Sequence, residues 1–78
     1  MMGPSPRRVL LESTTLTVAG YDDHYRQLQL DFCDGTRYQY MGVPPQMFQE
    51  LMEARSKGGY FNRYIRGRFR YVRLVGEN

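Results

Sequence analysis

The sequence predicts an α+β domain in which a three-stranded antiparallel meander packs against two short helices. Three observations carry that prediction. Residues 26–32, RQLQLDF, alternate: Leu28, Leu30 and Phe32 fall on one side, and Gln27, Gln29 and Asp31 on the other. That is the pattern of a strand with one buried face. Asp34-Gly35 follows at once, the strongest short-range hairpin signal in the chain. After Pro44-Pro45 the period changes, and Phe48, Leu51 and Met52 recur at i, i+3 and i+4 as one apolar helical stripe.

In chain order, residues 1–8 read as a loose, proline-rich tail, residues 9–75 as a single domain, and residues 76–78 as a short C-terminal tail. Residues 13–21, β-branched and aromatic, form the first strand. YDDHY, 21–25, is a turn whose aspartates can bond their own backbone. The second strand ends at CDGT, and residues 36–43 form the third, with Tyr38 and Tyr40 on one face and Arg37 and Gln39 on the other. Pro44-Pro45 stops the sheet, because proline has no amide proton and its fixed φ suits a first helical turn. The first helix, 45–56, keeps Glu50 and Glu53 on its outer side, and Gly58-Gly59 is expected to break it. A second helix, 60–67, pairs Phe61 with Ile65 and Tyr60 with Tyr64, with Gly67 as its C-cap. Residues 68–74 alternate again, Phe69, Tyr71 and Arg73 against Arg68, Arg70, Val72 and Leu74. A short fourth strand and an extended arm both fit that stretch. The helices are required, because a hairpin alone does not hold in water and Leu28, Leu30 and Phe32 need cover.

Seventy-eight residues make one domain at most. One cysteine, Cys33, permits no intrachain disulfide, which fits a reducing cytoplasm. No apolar run approaches the ~20 residues that span a bilayer, and MMGPSPRR lacks the apolar stretch of a secretion signal. A cytoplasmic protein without membrane attachment is therefore expected. The net charge of +3 conceals an asymmetry: residues 1–53 balance at −3, while residues 54–78 carry seven basic side chains and only Glu77, a balance of +6. Such a split points toward a polyanion or an acidic partner.

Three blocks, STTLTVAGYD, LQLDFCDGTRYQYMGVP with its Tyr-x-Tyr, and SKGGYFNRYIRGRFRY, together resemble the KTSC domain. This small module is named after the C-terminus of some lysyl-tRNA synthetases and also occurs as a stand-alone bacterial protein. The resemblance covers residues 10–73 and rests on Tyr21, Gly35, Tyr38, Tyr40, Val43, Pro44, Ser56, Gly58, Tyr60, Phe61, Asn62, Ile65 and Arg66. Thr14 departs from it, standing where a second serine is expected, but keeps the hydroxyl. The resemblance implies the α+β fold and, through the synthetase connection, RNA as a ligand.

The residues themselves point the same way. Guanidinium groups attract and fork onto phosphate, and aromatic faces stack on unpaired bases. Tyr60, Arg63, Tyr64, Arg66, Arg68 and Arg70 are the principal candidates, while Phe61 and Ile65 suit the core. Tyr38 and Tyr40 could form a stacking platform, or simply the contact between sheet and helices. Lys57, in Ser56-Lys57-Gly58-Gly59, stands at a helix start where amides can cradle an anion, although the spacing is not that of a phosphate-binding loop; a helix start capped by Ser56 or Asn62 explains the same residues. Asp22, Asp23 and His24 are consecutive and point apart, so no metal site is expected. No cofactor site or catalytic constellation stands out, and Cys33 reads as a free thiol. The expected function is a non-catalytic module for RNA or other single-stranded nucleic acid. The alternative is a protein-interaction module that docks an acidic partner or pairs with itself through a sheet edge. A lipid surface fits less well, because Gly58, Gly59 and Gly67 interrupt the basic-aromatic stretch.

Overall fold

The computed structural model describes residues 7–74. Five strands form one antiparallel sheet in sequence order: β1 (Arg7–Leu10), β2 (Leu16–Asp22), β3 (Gln27–Phe32), β4 (Arg37–Met41) and β5 (Tyr71–Leu74). Between β4 and β5 run α1 (Pro45–Glu53), α2 (Lys57–Tyr60) and a π-helical turn, Phe61–Ile65, that continues α2. The α+β class and the central meander are as expected. The C-terminal stretch is a strand paired with β4, and β1 adds a fifth. That strand takes in Arg7 and Arg8, which the sequence placed in the N-terminal tail; residues 1–6 and 75–78 lie outside the described residues.

The alternation in β3 holds. Leu28 and Leu30 are buried, and Gln27, Gln29 and Asp31 lie on the opposite face, where Asp31 pairs with Arg8 at 3.5 Å and Arg37 at 3.2 Å. β2 does not alternate cleanly, because its register with β3 slips between Leu16 and Val18. The extra residue turns Leu16 and Ala19, three apart, onto the core face opposite Phe32 and Leu30. The β3–β4 loop is a three-residue hairpin. Phe32 carbonyl accepts from the Gly35 amide at 2.9 Å, and Gly35 takes φ +92°, a conformation that glycine alone adopts without strain. In the β2–β3 turn, Asp22 Oδ1 accepts from the amides of His24 and Tyr25 at 2.9 and 3.1 Å, the backbone bonding expected of it.

Pro45 opens α1, and Phe48 and Leu51 enter the core as the helical period requires, with Met52 half-buried beside them. Phe48 stacks on Tyr21 at 5.1 Å between centroids. The Tyr21 hydroxyl donates to the Val43 carbonyl, so this buried phenol ties β2 to the start of α1. Gly58-Gly59 does not break the first helix. That helix ends at Glu53, and the two glycines form the first turn of α2, capped by Ser56 Oγ accepting from the Gly59 amide at 3.0 Å. Gly58 is buried here because Thr15, just before β2, lies directly above it.

Candidate functional site

Phe61 ends the helical cover of the sheet. Its ring lies 5.2 Å from Phe32 and 5.7 Å from Tyr40. Beyond it the β4–β5 margin of the same face is open. Tyr40 is 5 % exposed, Tyr38 half-buried and Tyr71 56 % exposed. Register explains the grouping: Tyr71 stands opposite Tyr40 across β4–β5, and Arg73 opposite Tyr38. The Tyr71 ring sits 5.6 Å from Tyr38 and 5.7 Å from Tyr40. These rings line a groove of about 610 Å³ together with Thr15, Asp34, Thr36, Asn62, Arg66 and Gly67.

The π-helical turn and its cap supply Asn62 and Arg66 to that lining. The Arg66 amide donates to the Phe61 carbonyl at 2.8 Å, five residues back. The wider turn keeps Phe61 and Ile65 in the core and brings Asn62 and Arg66 to the groove. The Arg66 guanidinium donates to Asn62 Oδ1 at 3.4 Å. A tight turn then follows, with the Arg68 amide donating to the Ile65 carbonyl at 3.0 Å and Gly67 at φ +76°. Such a turn demands glycine at its third position, and it sends the chain back to β5.

Burial pushes the Tyr40 phenol up to about 12, with the neighbouring phenols of Tyr38 and Tyr71 adding to the shift and Arg66 opposing it. The folded state therefore favours the neutral ring. That stabilisation is complete below pH ~10 and is lost as pH rises from there through about 12. Urea unfolding across this range should show stability falling by on the order of 2 kcal/mol. Tyr40→Phe should lessen that fall; an unchanged alkaline limb would refute the assignment.

The predicted residues divide. Tyr38, Tyr40 and Arg66 meet in the groove. Tyr60, Arg63 and Tyr64 lie together elsewhere, with Arg55, around a shallower hollow of about 370 Å³. There the Tyr60 and Tyr64 rings are 4.7 Å apart, and the Tyr60 hydroxyl donates to Glu50 Oε1 at 2.6 Å. Burial and that carboxylate push the Tyr60 phenol strongly upward. Arg68 and Arg70 are exposed on the segment leading to β5. Lys57 is occupied otherwise: its ammonium donates to the carbonyls of Met52 and Ala54 at 3.0 and 2.8 Å, closing the end of α1. Sequence reasoning missed Tyr71, Phe32, Asn62 and Asp34 as groove residues. The alternation of 68–74 put Tyr71 on one side with Phe69 and Arg73, but only the β4–β5 register shows what that side faces.

Among known proteins, the model of the KTSC domain matches residues 12–69. An uncharacterised protein of Stutzerimonas stutzeri is 39% identical over 69 residues, covering 87% of this chain and 97% of that protein. A lysine–tRNA ligase of Nostoc punctiforme is 33% identical over 63 residues, which cover 81% of this chain and 11% of the ligase. The crystal structure of a KTSC domain protein from Yersinia pestis superposes with a TM-score of 0.85 at 35% identity, covering 91% of this chain and all of that one.

Proposed function

The chain belongs to the KTSC domain family, and we propose that it is a non-catalytic module that binds RNA, or another single-stranded nucleic acid, in the aromatic groove. One observation carries this reading: Tyr71 leaves more than half its surface uncovered beside Tyr38 and Tyr40, in a groove that Arg66 also lines. An uncovered ring in a groove stacks on an unpaired base, and an adjacent guanidinium holds its phosphate. Arg68 and Arg70, on the segment that leads into β5, and Arg73 within that strand, all exposed, extend the positive surface. The ligase relative supports the same ligand, since its name places it with a transfer RNA. Cys33, exposed and free, suits a reducing compartment such as the cytoplasm.

Fluorescence anisotropy with labelled single-stranded oligonucleotides tests the proposal. Neutralising Z phosphates of a single strand gives a slope of log K against log salt of about −0.7Z, so four to six contacts predict about −3 to −4. A flat response, or no binding at low salt, removes the proposal. The second reading is protein docking at the edge strand β1, where Val9 and Leu10 are exposed. Self-association in sedimentation, or a nuclease-resistant partner, would favour it.

A further inference from the structure

The groove differs in charge from end to end. Tyr40, Tyr38 and Thr36 succeed one another along β4 and its entry at two-residue steps, so roughly 13 Å separates the first from the last. Arg66 lies toward the Tyr40 end, since the turn at Gly67 leads from it into β5, whose first residue, Tyr71, stands opposite Tyr40. Asp34 lies at the Thr36 end, its Oδ1 accepting from the Thr36 amide at 3.0 Å and hydroxyl at 2.7 Å. Both bonds fall on Oδ1, and Asp34 is an exposed residue of the groove lining, so Oδ2 is left without a hydrogen bond among the described residues. The bonds from Thr36, with a smaller contribution from Arg73, hold the carboxyl below its usual range, so it is ionised at neutral pH.

An unpaired nucleotide has its groups in a matching order: phosphate, sugar, base ring, outer base edge. With the phosphate on Arg66 and the ring against Tyr71 and Tyr38, the outer edge arrives at Asp34. A carboxylate can only accept hydrogen bonds. Cytosine and adenine present an exocyclic amine at that edge, which donates, while the corresponding carbonyl of uracil would meet Oδ2 as acceptor against acceptor.

Resting on the nucleic-acid reading above, we infer that the groove prefers an unpaired base with an outward amine, cytosine or adenine, over uracil, with Asp34 Oδ2 as the discriminating acceptor. The test compares the RNA pentamers UUCUU and UUUUU by anisotropy at one salt concentration, since cytosine and uracil have nearly the same size. Wild type should bind UUCUU roughly fivefold more tightly, the net worth of one typical hydrogen bond, at an exposed site where water competes. Asp34→Asn keeps an oxygen for Thr36 and puts an NH₂ where Oδ2 was, a donor suited to the uracil carbonyl. It should abolish or reverse the preference, with a melting curve confirming that the variant is folded. Equal binding of both pentamers by wild type, or a preference that survives Asp34→Asn, overturns this inference and leaves RNA binding standing. Binding of neither pentamer at low salt overturns the nucleic-acid reading and the inference with it.

Discussion

Gly58→Ala is expected to lower the melting temperature by roughly 5–15 °C. Alanine ordinarily improves a helix, by up to about 1 kcal/mol over glycine, so a loss would run against local propensity. The reason lies in a long-range contact. A Cβ on Gly58 would stand 2.5 Å from Thr15 Oγ1 and 2.9 Å from Thr15 Cβ. Rotating the threonine can move its hydroxyl away but not its Cβ, which is fixed to the backbone. Helix and strand entry must therefore separate, and overpacking of this kind costs about 1–3 kcal/mol. In a domain of this size, 1 kcal/mol corresponds to about 4–8 °C. Thr15→Gly in the same chain should restore much of the loss, and a double-mutant cycle by thermal unfolding should show a coupling of about 1 kcal/mol or more. A melting temperature that rises in Gly58→Ala would mean that Thr15 yields freely and the contact is loose. The position matters for the groove as well. Thr15 forms part of its wall, and α2, which begins at Lys57, leads straight into the π-helical turn that carries Asn62 and Arg66.

Tyr71→Ala should weaken binding of a single-stranded oligonucleotide by about 1–3 kcal/mol, the worth of one base stacked on one ring. That is a loss of roughly 5- to 150-fold. Stability should change little, because the ring is already 56 % exposed and gives up only its partial contacts with Tyr38 and Tyr40. Tyr71→Phe keeps the face and should bind nearly as wild type. Tyr25→Ala is the control: its ring is 66 % exposed in the β2–β3 turn, outside the groove, and its loss should leave affinity unchanged. Salt dependence separates stacking from charge. Tyr71→Ala should leave the slope unaltered, while Arg66→Gln should reduce it by about 0.7, one phosphate contact. Equal affinity for Tyr71→Ala and wild type would remove the groove from the binding surface.

The two substitutions differ in how visible their sites were before folding was known. Phe61 and Ile65 were recognisable as core from their i, i+4 spacing, and both are buried. Tyr38 and Tyr40 were legible as two rings on one face, with their role left open between platform and packing. The structure divides that role: Tyr40 is packed and Tyr38 half-covered, while Tyr71 supplies the exposed ring. Gly58 read as a helix breaker because glycine is a poor helix former. It sits inside a helix because a neighbour remote in sequence leaves no room for a side chain. Lys57 read as an anion-binding cation, yet its ammonium serves the carbonyls that end α1.

By itself, the sequence determined the elements whose cause is local. These are the alternating face of β3, the Asp34-Gly35 hairpin, the proline start of α1 and the concentration of positive charge in residues 54–78. Each follows from periodicity, backbone dihedral preference or a count of charges, quantities that neighbouring residues set. Only the tertiary structure decided which rings meet and which arginines join them. The β4–β5 pairing brings Tyr71 beside Tyr38 and Tyr40, the slip in β2 turns Leu16 inward, and the π-helical turn carries Arg66 to the groove while Tyr60 and Tyr64 go elsewhere. Strand register and a widened helical turn arise from packing between segments distant in the chain, and local pattern has no term for that distance.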